Sequence, residues 1–372
     1  MKTFSCSCKG RPKLFFESTS CCACGSLVGI TDDFKIVQSF TRHKKTNHYF
    51  ADDEPRRLYK KCKNFLEHDI CNGMIDIHAK TPDGKLADLC FSCKFNDVVP
   101  NLKVAEHLPL WQKMETAKRR ALFTLKSLPL ALYSADEKPR SGLTFNFLVD
   151  RDAKDHFISA LPNQEKVLTG HDNGQITINL AEADDVARSK TRLDLHEPYR
   201  TLLGHFRHEL GHYYFDQLIA SNKEKHRLCK LYFGDDSVSY KAALKRHYAS
   251  GPPSNWRSHF ISEYATMHPW EDWAETWAHY MHIIDTLETI DDCRLRIDSP
   301  TSAHFPINTS LADTPFADLL DKWMVFSVAL NSINRSMGLQ DAYPFVLTRS
   351  VRKKLMFIHH AIFNTPDQLP AP

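Results

Sequence analysis

The chain has 372 residues, 42% of them hydrophobic and 25% charged, an ordinary globular mix that excludes wholesale disorder and allows two or three domains. Mean hydropathy is −0.41, and the most apolar runs, such as Met324–Leu330, fall far short of the roughly 20 residues that span a bilayer. The net charge of +3 is too small to argue for nucleic acid as a partner. The opening Met-Lys-Thr-Phe-Ser-Cys-Ser-Cys lacks an apolar h-region, so a cleaved secretion signal is not expected. A cytoplasmic location follows as the expectation, and there thiols stay reduced.

Nine of the eleven cysteines lie in the first 93 residues, and in a reducing compartment such clustering points to metal rather than disulfides. Cys6-x-Cys8 and Cys21-x2-Cys24 form one quartet, because closely paired cysteines turn their sulfurs onto one tetrahedral ion at about 2.3 Å each. Cys22 is the spare, able to stand in for Cys21. Cys62, Cys71 and Cys90-x2-Cys93 form a second quartet. Only its latter half has knuckle spacing, Cys62 and Cys71 require a returning loop, and His68 is a substitute ligand. Both sites are expected to be closed structural zinc sites. Residues 1–100 carry 16 Lys plus Arg against 12 Asp plus Glu, but eight zinc-held thiolates and two ions cancel that excess. The basic footprint of a nucleic-acid ribbon disappears with it. Cys229 and Cys293 read as small buried hydrophobes.

Around residue 108 the character changes, which sets expected domains of 1–107 and 108–372. Leu110, Met114, Ala117, Ala121, Leu122, Leu125 and Leu128 recur at helical spacing, with Lys118, Arg119 and Arg120 on the opposite side. Leu143–Val149 reads as a strand. Val167–Asp172 and Gln175–Leu180 flank Asn173-Gly174, a hairpin signal. Helices are expected from about Pro198 to Ala220, after Pro269 to about Leu287, near Phe316–Ser336 and over Thr348–Phe363, before a Pro-rich tail. The fold class is therefore α+β, a cysteine-rich zinc-binding region followed by a mixed domain.

Residues 208–212 read His-Glu-Leu-Gly-His. Positions i and i+4 share a helix face, so His208 and His212 can reach one ion while Glu209 holds a water on it. At this composition the pattern arises by chance only about 0.04 times per chain. A catalytic zinc needs a third protein ligand, and Tyr213–Asn222 supply no histidine. The better source is the helix of Glu271 and Glu275. Glu271 is assigned to the metal and Glu275 to the carboxylate that orients a ligating histidine. The reverse assignment stays open, and His268 and His279 are outside candidates.

Three segments carry a family resemblance. They are His-Phe-Arg-His-Glu-Leu-Gly-His-Tyr-Tyr (205–214), the hairpin Thr-Gly-His-Asp-Asn-Gly-Gln-Ile-Thr-Ile-Asn-Leu-Ala-Glu-Ala-Asp-Asp (169–185), and Met-His-Pro-Trp-Glu-Asp-Trp-Ala-Glu-Thr-Trp-Ala-His-Tyr (267–280). With Phe4-x-Cys-x-Cys, Leu14-Phe-Phe-Glu, Cys21-x2-Cys-Gly and Ala117-Lys-Arg-Arg-Ala, the chain resembles bacterial zinc-binding metallopeptidases with an N-terminal zinc ribbon. The resemblance covers most of the chain. It implies a zincin-type peptidase with a Glu third ligand, as in gluzincins such as thermolysin, and supplies no substrate. Tyr213-Tyr214-Phe215 departs from the usual aromatic triplet ending in Trp, away from every expected ligand.

The expected activity is peptide-bond hydrolysis with three zinc ions, one catalytic and two structural. Zinc held by His208, His212 and Glu271 activates a water, Glu209 is the general base, and Tyr264 or His268 donates to the oxyanion. Strand Gln175–Leu180 is expected to offer an open edge to an extended peptide. Expected partners are a peptide or protein substrate and a protein docked on the ribbon, with no membrane and no nucleic acid. The rival class is a non-enzymatic zinc-organised adaptor with a vestigial peptidase domain. Its support is the basic runs Arg42-His-Lys-Lys45 and Lys60-Lys61-x-Lys63. Hydrolysis of a non-peptide amide is a third possibility.

Overall fold

Few apolar residues recur at helical spacing before residue 107, and this part of the chain builds short antiparallel strands. The computed structural model describes residues 1–150, 167, 169–185, 188, 201–297, 311 and 313–365, and the chain divides into two compact units, Met1–Thr191 and Arg192–Pro372.

In the first unit β1 (Phe4–Ser5) and β2 (Lys13–Leu14) form a ribbon. An antiparallel sheet follows in chain order: β3 (Leu27–Ile30), β4 (Val37–Arg42), β5 (Tyr49–Ala51), β6 (Glu54–Lys61) and β7 (Met74–Asp76). Helix α1 (Lys63–His68) lies between β6 and β7. A second sheet combines β8 (Asn96–Val98), β9 (Thr144–Leu148), β10 (Gly170–Asp172) and β11 (Gln175–Asn179) in the order β10-β11-β9-β8. Asn173 and Gly174 both have positive φ, 47° and 90°, as a tight two-residue hairpin turn requires. The expected open edge at Gln175–Leu180 is not present. β11 is paired on both sides, antiparallel with β10 over Gln175–Thr177 and parallel with β9 over Gln175–Asn179, so the backbone there is already engaged.

Between β8 and β9 in sequence runs α2 (His107–Lys126). Its Phe123 packs on Phe16 at 4.8 Å between ring centroids, which ties it to residues before the composition change at 108. The expected solvent side of α2 is only partly one. Arg120 is on the surface with Glu17, but Lys118 and Arg119 are buried. Lys118 Nζ lies 2.9 Å from Glu115 Oε1, both side chains being fully enclosed. It also donates to Asn96 Oδ1 and sits 5.6 Å from the Phe145 ring centroid. Arg119 donates to Asn72, which itself holds the Phe16 and Ser18 carbonyls. Removing one partner of such a pair strands the other charge. Lys118→Ala is therefore expected to lower stability by about 3–5 kcal/mol, read by chemical denaturation, and a loss under about 1 kcal/mol would show that the pair is wetter than its enclosure indicates.

The second unit is helical among its described residues. It contains α3 (Leu202–Tyr214), continued by a π-helical turn over Phe215–Ala220, then α4 (Lys223–Phe233), α5 (Tyr240–Ser250), α6 (Pro269–Asp292), α7 (Phe316–Ser336) and α8 (Arg349–Phe363). The expected helix start at Pro198 and the Pro-rich tail beyond residue 365 lie outside the described residues. Helices α4 and α5 were not expected from the sequence. Each is short, and α5 buries only Ala243, so neither shows a broad apolar stripe.

The centre of this unit is the crossing of α3 and α6. A Cβ on Gly211 would stand 3.0 Å from Ala274 Cα and 3.1 Å from Trp277 Cβ, so a side chain there would push the helices apart. Trp273 Nε1 donates to the Gly211 carbonyl at 2.8 Å, and Trp277 stacks on Tyr214 with centroids 5.0 Å apart. Cys229 is buried, but Cys293 is exposed, because it caps the C-terminus of α6 rather than filling a core. No helix among the described residues is long and apolar enough to cross a membrane.

Candidate metal centres

Two cysteine clusters assemble in the first unit. The sulfurs of Cys6, Cys8, Cys21 and Cys24 lie within 4.8 Å of one another, as do those of Cys62, Cys71, Cys90 and Cys93. Cys6 and Cys24 are 3.8 Å apart, and Cys71 and Cys90 are 3.9 Å apart. Four thiolates bound at about 2.3 Å around a tetrahedral zinc would be about 3.8 Å apart, whereas a disulfide joins sulfurs at about 2.05 Å. The donor sets fit zinc. Cys22 is exposed and outside the first cluster, and His68 leans on Trp111 with ring centroids 5.8 Å apart rather than joining the second. The returning loop between Cys62 and Cys71 is α1, closed by Asp69 in the left-handed region. The second site is the more enclosed, since all four of its cysteines are buried. A Cβ on Gly73 would sit 2.5 Å from Cys90 Sγ, so this close backbone approach excludes any side chain.

The third cluster joins the crossing helices of the second unit. Thr201 accepts from the Gly204 amide and starts α3, which sets His208 and His212 on one face, their rings 4.8 Å apart. Pro269 in the first turn and His268 as the capping acceptor start α6, which carries Glu271 to the same point. His208 Nε2 and His212 Nε2 are 3.1 Å apart, and Glu271 Oε2 lies 3.0 and 3.3 Å from them. Buried nitrogens at this spacing, facing a buried carboxylate oxygen without a hydrogen-bond donor, are what a small divalent cation with N and O ligands needs. Burial disfavours a charged imidazole at His208, but Glu271 and Glu275 outweigh it and hold its pKa well above the ordinary value.

Around the donors stand groups that orient them. Glu275 Oε1 is 2.6 Å from His208 Nδ1 and its Oε2 accepts from Ser262 at 2.6 Å. Glu275 is outside the three-donor cluster. Its position suits the carboxylate that orients a ligating histidine, not a ligand. His212 lies against Trp270, with ring centroids 3.6 Å apart. Glu209 is buried beside the pair. Burial pushes its carboxyl pKa up, while His205 at 3.2 Å and the imidazoles of His208 and His212 bring it below the usual range. Its Oε2 has no hydrogen-bond partner.

The two residues expected as oxyanion donors are placed differently. Tyr264 stands with its ring 6.0 Å from that of His208, and burial, with Glu271 and Tyr240 nearby, keeps its hydroxyl protonated well beyond the ordinary range. His268 is committed to the main chain. Its Nδ1 accepts from the Trp270 amide and its Nε2 donates to the Val238 carbonyl, so it has no nitrogen left for a substrate. His279 bonds Tyr343 through Nδ1 and is not in the cluster. The sequence reading overlooked Tyr240, whose hydroxyl donates to Glu271 Oε1 at 2.7 Å, and His205 beside Glu209. His205 was open to detection, being four residues before Glu209 on one face. Tyr240 left no such trace, since it belongs to a different helix.

Two histidines one turn apart on a helix, a carboxylate from a crossing helix and two four-cysteine sites define a zinc-binding metalloprotein. Comparison with known families agrees. Residues 107–361 match the family described as “Putative zinc-binding metallo-peptidase”, and residues 3–104 match a zinc-ribbon domain. The chain belongs to that metallo-peptidase family, with a zinc ribbon preceding the family domain. Uncharacterized proteins of Mycobacterium bovis and of two Mycobacterium tuberculosis strains are each 41% identical over 372 residues, covering 100% of this chain and 98% of theirs. No solved structure matches the chain.

Proposed function

We propose that this chain is a cytoplasmic gluzincin-type peptidase that hydrolyses peptide bonds in a peptide or protein substrate. The observation that carries the reading is the convergence of His208, His212 and Glu271 within 4.8 Å, with the unpartnered Glu209 Oε2 beside them. His208, His212 and Glu271 would hold the catalytic zinc, and two further zinc ions would sit in the cysteine quartets. Zinc bound by such a donor set supplies Lewis acidity and makes water a nucleophile near neutral pH. Glu209 accepts the proton of the attacking water through Oε2 and returns it to the leaving amine nitrogen. His205 holds the other carboxylate oxygen and so fixes the direction in which the base acts. Tyr264, a protonated hydroxyl near His208, is the donor for the oxyanion. The cysteine sites are closed by four protein ligands, leave no position for substrate and serve the fold.

Zinc analysis of the full chain before and after mild chelation, alongside cleavage of a mixed peptide library, tests this. Three ions per chain are expected. Two should resist chelation, while the third exchanges and takes peptide cleavage with it, both returning on zinc addition. Two resistant ions with no third would overturn the catalytic reading.

A further inference from the structure

The first turn of α6 does more than deliver Glu271. His268, its capping residue, reaches with Nε2 to the Val238 carbonyl at 3.0 Å. Two residues on, Tyr240 opens α5 and donates its hydroxyl to Glu271 Oε1 at 2.7 Å. The segment Val238–Tyr240 is thus bonded at both ends to the first turn of the helix that carries the third donor. The Tyr240 ring also sits edge-on to Trp270, centroids 5.9 Å apart, and 5.4 Å from His268. Trp270 in turn covers His212.

The consequence for Glu271 is geometric. A carboxylate has two equivalent oxygens and can turn about its last bond, binding a metal through one, the other or both. Here Oε1 is taken by the Tyr240 hydroxyl, and Oε2 alone faces the two Nε2 atoms at 3.0 and 3.3 Å. We infer that Tyr240 is a positioning residue for the metal. It locks Glu271 so that a single oxygen is presented to the ion, and His268 acts through it by holding the Val238–Tyr240 segment in place. This inference rests on the reading of His208, His212 and Glu271 as a zinc site. It gives His268 a structural place in that site without contact to substrate. It also gives the weakly buried α5 a reason to be where it is, since only Ala243 of that helix is buried.

Partners that orient metal ligands are commonly worth 10–100-fold in metal affinity. Tyr240→Phe removes one hydroxyl and keeps the ring against Trp270 and His268. The zinc affinity of the exchangeable site, measured on the full chain by chelator competition, is expected to fall 10–100-fold. The cysteine-held zinc should stay. With cobalt(II) in place of zinc, the visible absorption of the exchangeable site should change as Glu271 becomes free to turn. Tyr248→Phe, on the same helix and 65% exposed, should leave both readouts at wild type. Wild-type affinity and an unchanged cobalt spectrum in Tyr240→Phe would overturn the inference. So would wild-type affinity with slower peptide cleavage, which would make Tyr240 a donor to substrate instead. A wild-type chain without an exchangeable third zinc would overturn the underlying metal site as well, and that result is distinct from the first two.

Discussion

Glu209→Gln should lower peptide cleavage by roughly 10²–10⁴, the usual worth of a positioned general base, while all bound zinc remains. The substitution conserves size and helix propensity. The amide oxygen can still accept from His205, which stands 3.2 Å from Glu209 Oε1. The oxygen that changes is Oε2, buried and without a partner. Replaced by an amide nitrogen it has only donors, so it cannot take a proton from water. Because Glu209 is not among the three converging donors, the metal should be unaffected, and melting should move little. Elemental analysis and kcat/KM on one cleaved peptide check this together. A fall of less than tenfold with zinc intact would place the base elsewhere, and loss of zinc would make Glu209 a ligand.

The sequence was most legible where chemistry demands fixed spacing. Cysteine pairs two or three positions apart in a reducing compartment point to an ion, and the same eight cysteines form the two clusters. Histidines four apart share a helix face, and long periodic helices were readable almost to their ends, as with Phe316–Ser336. What escaped was non-local. The meander β3–β7 is made of short strands without clean alternation, β6 beginning with four exposed residues. The hairpin signal at Asn173-Gly174 reports the pairing of β10 with β11, but nothing local announces that β9 joins the other side of β11 in parallel. Burial on several sides also defeats periodicity. Lys118 and Arg119 sit opposite an apolar stripe and are still enclosed, Lys118 bonded to Glu115 and Asn96 and Arg119 to Asn72. The site followed the same rule. Its candidate donors were legible, whereas Tyr240 and Ser262, which bond Glu271 and Glu275, come from segments whose local sequence carries no metal signature.

The sharpest separation of ligand from support lies between Glu271 and Glu275, one turn apart on α6. Glu271→Gln is expected to abolish the exchangeable zinc and leave the cysteine-held ions. A carboxylate offers two oxygens, one for Tyr240 at 2.7 Å and one for the metal. An amide offers a single oxygen. If that oxygen keeps the Tyr240 hydroxyl, an NH₂ group points at His208 and His212 and repels the cation. If it turns to the metal, the Tyr240 bond is lost and a neutral donor replaces a charged one. Either way the site loses the negative charge that offsets the ion. Glu275→Gln is milder, because Glu275 touches His208 Nδ1 at 2.6 Å and reaches the metal only through that ring. Its amide oxygen can still accept from Nδ1–H, so zinc should bind with an affinity reduced by about 10–100-fold at most. Zinc content of the two variants, measured by elemental analysis at equal free zinc, decides the matter. Loss in Glu275→Gln with retention in Glu271→Gln would exchange the two roles, and full zinc in both would show that neither carboxylate is the third donor.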